Sequence, residues 1–170
     1  LFDAVEQDAL SDLQTMVGAG KDEHALSTVW MAVRKRHPWL QINLLTAFLA
    51  AMVVGAFEQT IQRVVVLAVF LPVLAGQSGN TGCQALAVAL RGITLGDMKR
   101  GKEARLLTKE AWLGFMNGAL VGVVAAAGMF VYARLQGNPQ APVLALVVFL
   151  AMVGSCTISG VFGGLVPITL

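Results

Sequence analysis

The run Phe70-Leu-Pro-Val-Leu-Ala-Gly-Gln-Ser-Gly-Asn-Thr-Gly-Cys-Gln84 holds the side chains best suited to chemistry. Gln77, Ser78, Asn80, Thr81 and Gln84 bring five uncharged polar groups into an otherwise apolar stretch. Gly76, Gly79 and Gly82 recur at every third position, and small residues so spaced let another helix come close or leave carbonyls uncovered. Pro72 has no N–H to give the Ala68 carbonyl, so a freed carbonyl or a bend is expected there. Amide, hydroxyl and carbonyl oxygens are hard, neutral ligands, suited to hard cations rather than thiolate-seeking metals. Magnesium dehydrates reluctantly, and oxygens of this kind can hydrogen-bond its water shell without stripping it. Two readings stand open on the residues alone: glue between helices, or a path for an ion.

The elements that must carry this run are membrane helices. Uncharged stretches cover residues 40–57, 64–90, 111–133 and 141–170, which is 98 of the 170 positions. A membrane helix needs about 17–25 predominantly apolar residues. Lipid offers the backbone no hydrogen-bond partner, and these stretches lack the alternation of a barrel, so helices are expected. The chain is 56% hydrophobic and 13% charged with a mean hydropathy of +0.72. Soluble domains have about 45–50% apolar and about 25% charged residues, so a soluble, disordered or collagen-like chain is excluded. Two cysteines, Cys83 and Cys156, are too few for a disulfide framework. No stretch reads as a signal peptide, because 39 residues precede the first. The fold class is an all-α membrane protein, a polytopic helix bundle preceded by cytoplasmic amphipathic helices.

Charge placement gives the orientation. Ten of the 12 Lys and Arg residues lie before the first stretch or between the second and third, and only Arg63 and Arg134 lie in the other two connections. The excess of cations on the cytoplasmic side then puts the N-terminus and the central connection inside the cell. Trp39, Trp112 and Tyr132 stand at span ends, where aromatic belts are expected. No Asp, Glu, Lys, Arg or His falls within the four stretches, so neither an enzyme nor a nucleic-acid partner is expected.

The ends differ from the middle. Phe2, Val5, Ala9, Leu13 and Met16 recur at helical spacing, opposite Asp3, Glu6, Asp8 and Asp12. That acidic face is either a solvated surface or a cation-responsive element. Residues 17–20 break this helix, and a second short helix over 24–36 is expected to lead into His37-Pro38-Trp39. Gly154, Ser155, Thr157, Ser159, Gly160, Gly163, Gly164 and Pro167 make the fourth span a small-residue packing helix with an expected kink. Its Gly160-x-x-Gly163 spacing suits close contact with the second span. The sequence begins at Leu1 rather than Met and stops within an apolar run, so it reads as part of a longer protein.

Residues 38–170 resemble the transmembrane domain of MgtE-type magnesium transporters and their eukaryotic solute-carrier relatives. The resemblance runs through Pro38-Trp39, Leu45-Thr46-Ala47, the run from Pro72 to Gln84, Arg91-Gly92, Leu95-Gly96-Asp97, Lys109-Glu110 and Pro167. It implies a homodimer with five membrane helices per subunit, of which spans at 39–57, 64–90, 111–133 and 141–170 would be four and a fifth would follow Leu170. It implies channel-like passage of hydrated Mg2+ down its gradient across the cell (cytoplasmic, inner) membrane, through a pore on the dimer axis lined by the second and fifth helices. Asn80, Thr81 and Gly76 match pore-lining positions, with Pro72, Gly79, Gly82 and Gln84 shaping the pore, and an aspartate of the fifth helix would hold the hydrated ion. Residues 1–37 would be the acidic plug and its connecting helix, following CBS domains. Glu6, Asp8 and Asp12 match the plug's regulatory Mg2+-sensing carboxylates, and Ser11 departs from the pattern. The alternatives are the same fold passing Mn2+ or Co2+, and a non-conducting membrane scaffold.

Overall fold

The computed structural model of the chain describes residues 18–20, 23–96 and 101–169. The sensing candidates Glu6, Asp8 and Asp12 lie outside the described residues, as do Asp97 and Leu170. The described elements are helical: α1 (Val29–Ala56), α2 (Glu58–Arg63), α3 (Val65–Ala68), α4 (Leu71–Thr94), α5 (Glu103–Leu135) and α6 (Ala141–Thr169). Among the described residues, four segments are long and apolar enough to cross a bilayer: Val29–Ala56, Val65–Thr94, Glu103–Leu135 and Ala141–Thr169. The protein is an all-α membrane protein, and its many exposed Leu, Val, Phe and Ile side chains suit contact with lipid.

The chain divides into two compact units, Leu1–Thr60 and Ile61–Leu170. In the first, α1 begins ten residues before the expected span and runs unbroken through Pro38. The expected pair of helices over 24–36 and 39–57 is therefore one. Proline costs a helix one backbone bond, and its neighbours can absorb that loss in a membrane helix. Ahead of α1, the buried Glu23 carboxylate is clasped by the Arg36 guanidinium, with Nε donating to Oε2 at 3.2 Å and a second N–H donating to Oε1. This guanidinium holds the Glu23 carboxyl below its ordinary range.

In the second unit, the span expected over 64–90 is interrupted. Helix α3 ends at Ala68, and α4 starts at Leu71 with Pro72 in its first turn. The missing proline N–H is harmless there, because the leading N–H groups of a helix have no partner in any case. The sequence thus produces a break rather than a bend. Val64, Val66, Leu67, Phe70 and Leu74 around this break cover one end of the α5–α6 core.

Helices α5 and α6 form an antiparallel hairpin. Arg134 to Asn138 close α5 with two bonds: the Gly137 N–H donates to Arg134 O and the Asn138 N–H to Ala133 O. Gly137 has φ +69°, which a glycine adopts without a side-chain clash. The Asn138 side chain then accepts from the Gln140 N–H at 2.9 Å, leading into α6.

The hairpin is held by small residues at four-residue spacing. Glu110, Gly114, Gly118 and Gly122 are buried on α5, and Met152, Cys156, Gly160 and Gly164 on α6. A Cβ at Gly114 would sit 2.5 Å from the Cys156 carbonyl oxygen, and one at Gly160 would sit 2.8 Å from the Glu110 carbonyl oxygen. The two backbones touch, which only glycine allows. In lipid, such close van der Waals packing takes over from the hydrophobic effect as the adhesive between helices. Gly160 therefore packs on α5 rather than on the second span, and only Gly163 of the expected pair meets α4.

Candidate functional site

Helix α4 carries all seven residues singled out for the pore, and two of its faces have opposite fates. Ala85 and Ala89 are buried and Ser78 and Gly82 half-buried along the seam with α6. There the Ser159 hydroxyl donates to the Ser78 carbonyl at 2.6 Å. A Cβ at Gly82 would lie 2.7 Å from Ser159 Oγ, and one at Gly163 would run into the Gly82 carbonyl oxygen.

Asn80 is two residues from both Ser78 and Gly82, which at about 100° per residue puts it on the far side of the helix. Every fourth residue shares that side, so Pro72, Gly76, Asn80 and Gln84 form one ridge. All four are exposed, and nothing within 4 Å would meet a Cβ at Gly76. Gly79 and Thr81 flank the ridge. Gly79 is exposed, whereas Thr81 is half-buried and its hydroxyl donates to the Gln77 carbonyl at 3.0 Å. Gly82 belongs to the other face, where it sets the approach of α4 to α6.

The ridge can offer amide oxygens from Asn80 and Gln84 and an uncovered backbone at Gly76. Among the described residues, no three His, Cys, Asp or Glu side chains converge as a metal cage would require. An ion beside this ridge would meet neutral dipoles and would keep its own waters. Cys83 and Cys156 are both free thiols, one exposed and one buried.

Two polar residues carry structural weight that sequence reasoning gave them no reason to bear. Glu110 sits one residue before the third uncharged stretch yet is buried, its carboxylate 3.2 Å from the Lys109 ammonium. Its Oε1 has no hydrogen-bond partner among the described residues, so that ammonium is what compensates the carboxylate. The readable signal was its register, four residues before Gly114 in the row that continues to Gly118 and Gly122. Ser159 is the second, and it was read as one small residue among several.

Comparison with known proteins supplies a family. The family model described as a divalent cation transporter, MgtE, matches residues 71–170. The chain is 30% identical over all 170 residues to the magnesium transporter MgtE of Bacillus subtilis, and 29% identical over the same length to that of Enterococcus faecalis. It is 28% identical over 123 residues to the magnesium transporter MgtE of Thermus thermophilus, a match that covers 69% of this chain and 27% of that protein. The whole chain spans 36% of the length of each of the first two relatives. With the family match covering more than half of its residues, the chain belongs to the MgtE family of divalent cation transporters.

Proposed function

We propose that residues 38–170 form the pore domain of a transporter that passes hydrated Mg2+ through the cell membrane without chemistry on the ion. The pore lies on the twofold axis of a homodimer, with the ridge of Pro72, Gly76, Asn80 and Gln84 facing it and Thr81 and Gly79 at its margins. The N-terminus is cytoplasmic, and residues 1–37 form a connecting segment whose Glu6, Asp8 and Asp12 answer to cytosolic Mg2+. Concentration and membrane potential drive the ion inward. A potential contributes about 2.3 kcal/mol per charge per 100 mV, and a dication gains twice that.

One observation carries this reading: the polar ridge of α4 is turned away from the seam that holds α4 to its own chain. Side chains serving only as glue within the subunit would sit on the seam, where Ser78 and Gly82 already do that work. The magnesium transporters that the chain matches over its full length also support it. In the complete protein, Asn80→Leu is expected to abolish Mg2+ uptake into vesicles while membrane insertion and yield stay unchanged. Uptake at the original rate would remove Asn80 from the path. Because the family description covers divalent cations in general, uptake with Mn2+ and Co2+ as competitors then fixes the preferred ion.

A further inference from the structure

The first turns of α5 run ahead of the uncharged stretch that begins at Ala111. At 33 residues the helix is about 50 Å long, against about 30 Å of hydrocarbon. Lys102, Arg105 and Lys109 recur at three- and four-residue spacing on this overhang and so share one face. Two shallow, largely open depressions adjoin there. One, of about 360 Å³, is lined by Lys102, Arg105, Leu106 and Lys109. The other, of about 530 Å³, is lined by Ala104, Arg105, Thr108, Lys109 and Trp112.

Among the described residues, an ion pair reaches this face at Lys109 and not at Lys102 or Arg105. Glu110 turns to α6 and its carboxylate lies 3.2 Å from the Lys109 ammonium, which neutralises part of that one cation. Glu103 accepts the Gly101 N–H at 3.0 Å at the start of the helix. The Thr108 hydroxyl is committed to the Ala104 carbonyl at 2.8 Å. Arg105 and Lys102 thus lead the attraction, and a guanidinium suits a phosphate through paired N–H donors.

An apolar floor adjoins the cations. Trp112 is 62% exposed and stacks on Phe115, with ring centroids 5.4 Å apart and planes 14° from parallel. Lys109 is about 4.5 Å and Arg105 about 10 Å further along the axis than Trp112, and the polar layer of one leaflet is roughly 5–8 Å deep. With the indole at the interface, where tryptophan collects, Lys109 stands at phosphate height, Arg105 at the outer edge of that layer and Lys102, about 15 Å out, beyond it.

We propose that this face of α5 is a binding site for an anionic phospholipid, its phosphate between Lys109 and Arg105, its headgroup toward Lys102 and its glycerol and upper acyl chain against Trp112. A free phosphate would satisfy the cations and leave the exposed aromatic pair without a partner. A lipid satisfies both, and its net negative charge matches the face.

The test uses the complete protein in a neutral detergent, exposed to equal amounts of phosphatidylglycerol and phosphatidylcholine with the same acyl chains, and retained lipid is counted by native mass spectrometry. The wild type is expected to retain phosphatidylglycerol preferentially. Lys102→Gln with Arg105→Gln lowers that preference roughly tenfold or more, given the pull of an anionic surface on each basic residue, while Arg105→Lys keeps most of it. Arg63→Gln with Arg134→Gln removes the same charge elsewhere and leaves the preference intact. Where the double change lowers yield, Arg105→Gln alone shifts the preference in the same direction. Equal retention of the two lipids by the wild type, or an undiminished preference in the Arg105→Gln protein, overturns the site.

Discussion

The two faces of α4 use the same small vocabulary for opposite ends. On the α6 side, Ala85 and Ala89 are buried and Ser78 and Gly82 half-buried, and a long-range hydrogen bond there places its donor on a backbone carbonyl. On the other side, Pro72, Gly76, Asn80 and Gln84 are exposed. Composition does not separate the faces, since both contain glycine and polar groups. What separates them is whether a second backbone stands within van der Waals reach. A glycine against a neighbouring carbonyl serves packing, and a glycine facing open space leaves room for something outside the subunit.

Substitutions test this contrast directly. Gly163→Ala is expected to have the largest effect, because its new methyl group runs into the Gly82 carbonyl. Backbone cannot yield as a side chain can, so the loss should reach or exceed the upper end of the roughly 1–3 kcal/mol usual for overpacking. Thermal unfolding in detergent reads it. Ser159→Ala removes the bond to Ser78 O and should cost about 0.6 kcal/mol, the average for such bonds in a bilayer. Gly79→Ala meets nothing within 4 Å, so the subunit should lose no stability and should gain up to about 1 kcal/mol from the better helix former. If Gly79→Ala proved as damaging to the monomer as Gly163→Ala, the two faces would not differ in the way described.

Much of this was legible in the residues, for reasons that particular positions illustrate. The four uncharged stretches each became a membrane-length helical segment, because lipid leaves the backbone no alternative. Of the fourth span's small residues Gly160, Gly163 and Gly164 do pack, as their spacing implied, whereas a Cβ at Gly154 would meet nothing within 4 Å. Interruptions were harder to read. Pro38 was absorbed into α1, whereas Pro72 became a helix start. One proline sits in a stretch that remains helical on both sides, and the other has a turn at Val69 and Phe70 available before it. Single-residue chemistry is the same in the two cases, so only the neighbours decide.

Partner choice was also hidden. Gly160 and Gly163 are three residues apart, and either could have met the second span. The structure gives Gly160 and Gly164 to α5 and leaves Gly163 and Ser159 for α4. Two adjacent rows of one helix thus serve two neighbours, which no spacing rule for a single contact reveals. The burial of Glu110, a residue named only within the family resemblance, was hidden for a related reason: a charge at a span end reads as solvated until the facing helix is known to lack side chains at Gly160 and Gly164.

The ridge on α4 has one consequence for how the protein should respond to acidity. Asn80, Gln84 and Gly76 possess no proton that is gained or lost in the physiological range. On the proposed path an ion would meet the same dipoles in acid and in neutral medium, so any dependence of flux on pH would have to originate in residues away from that ridge.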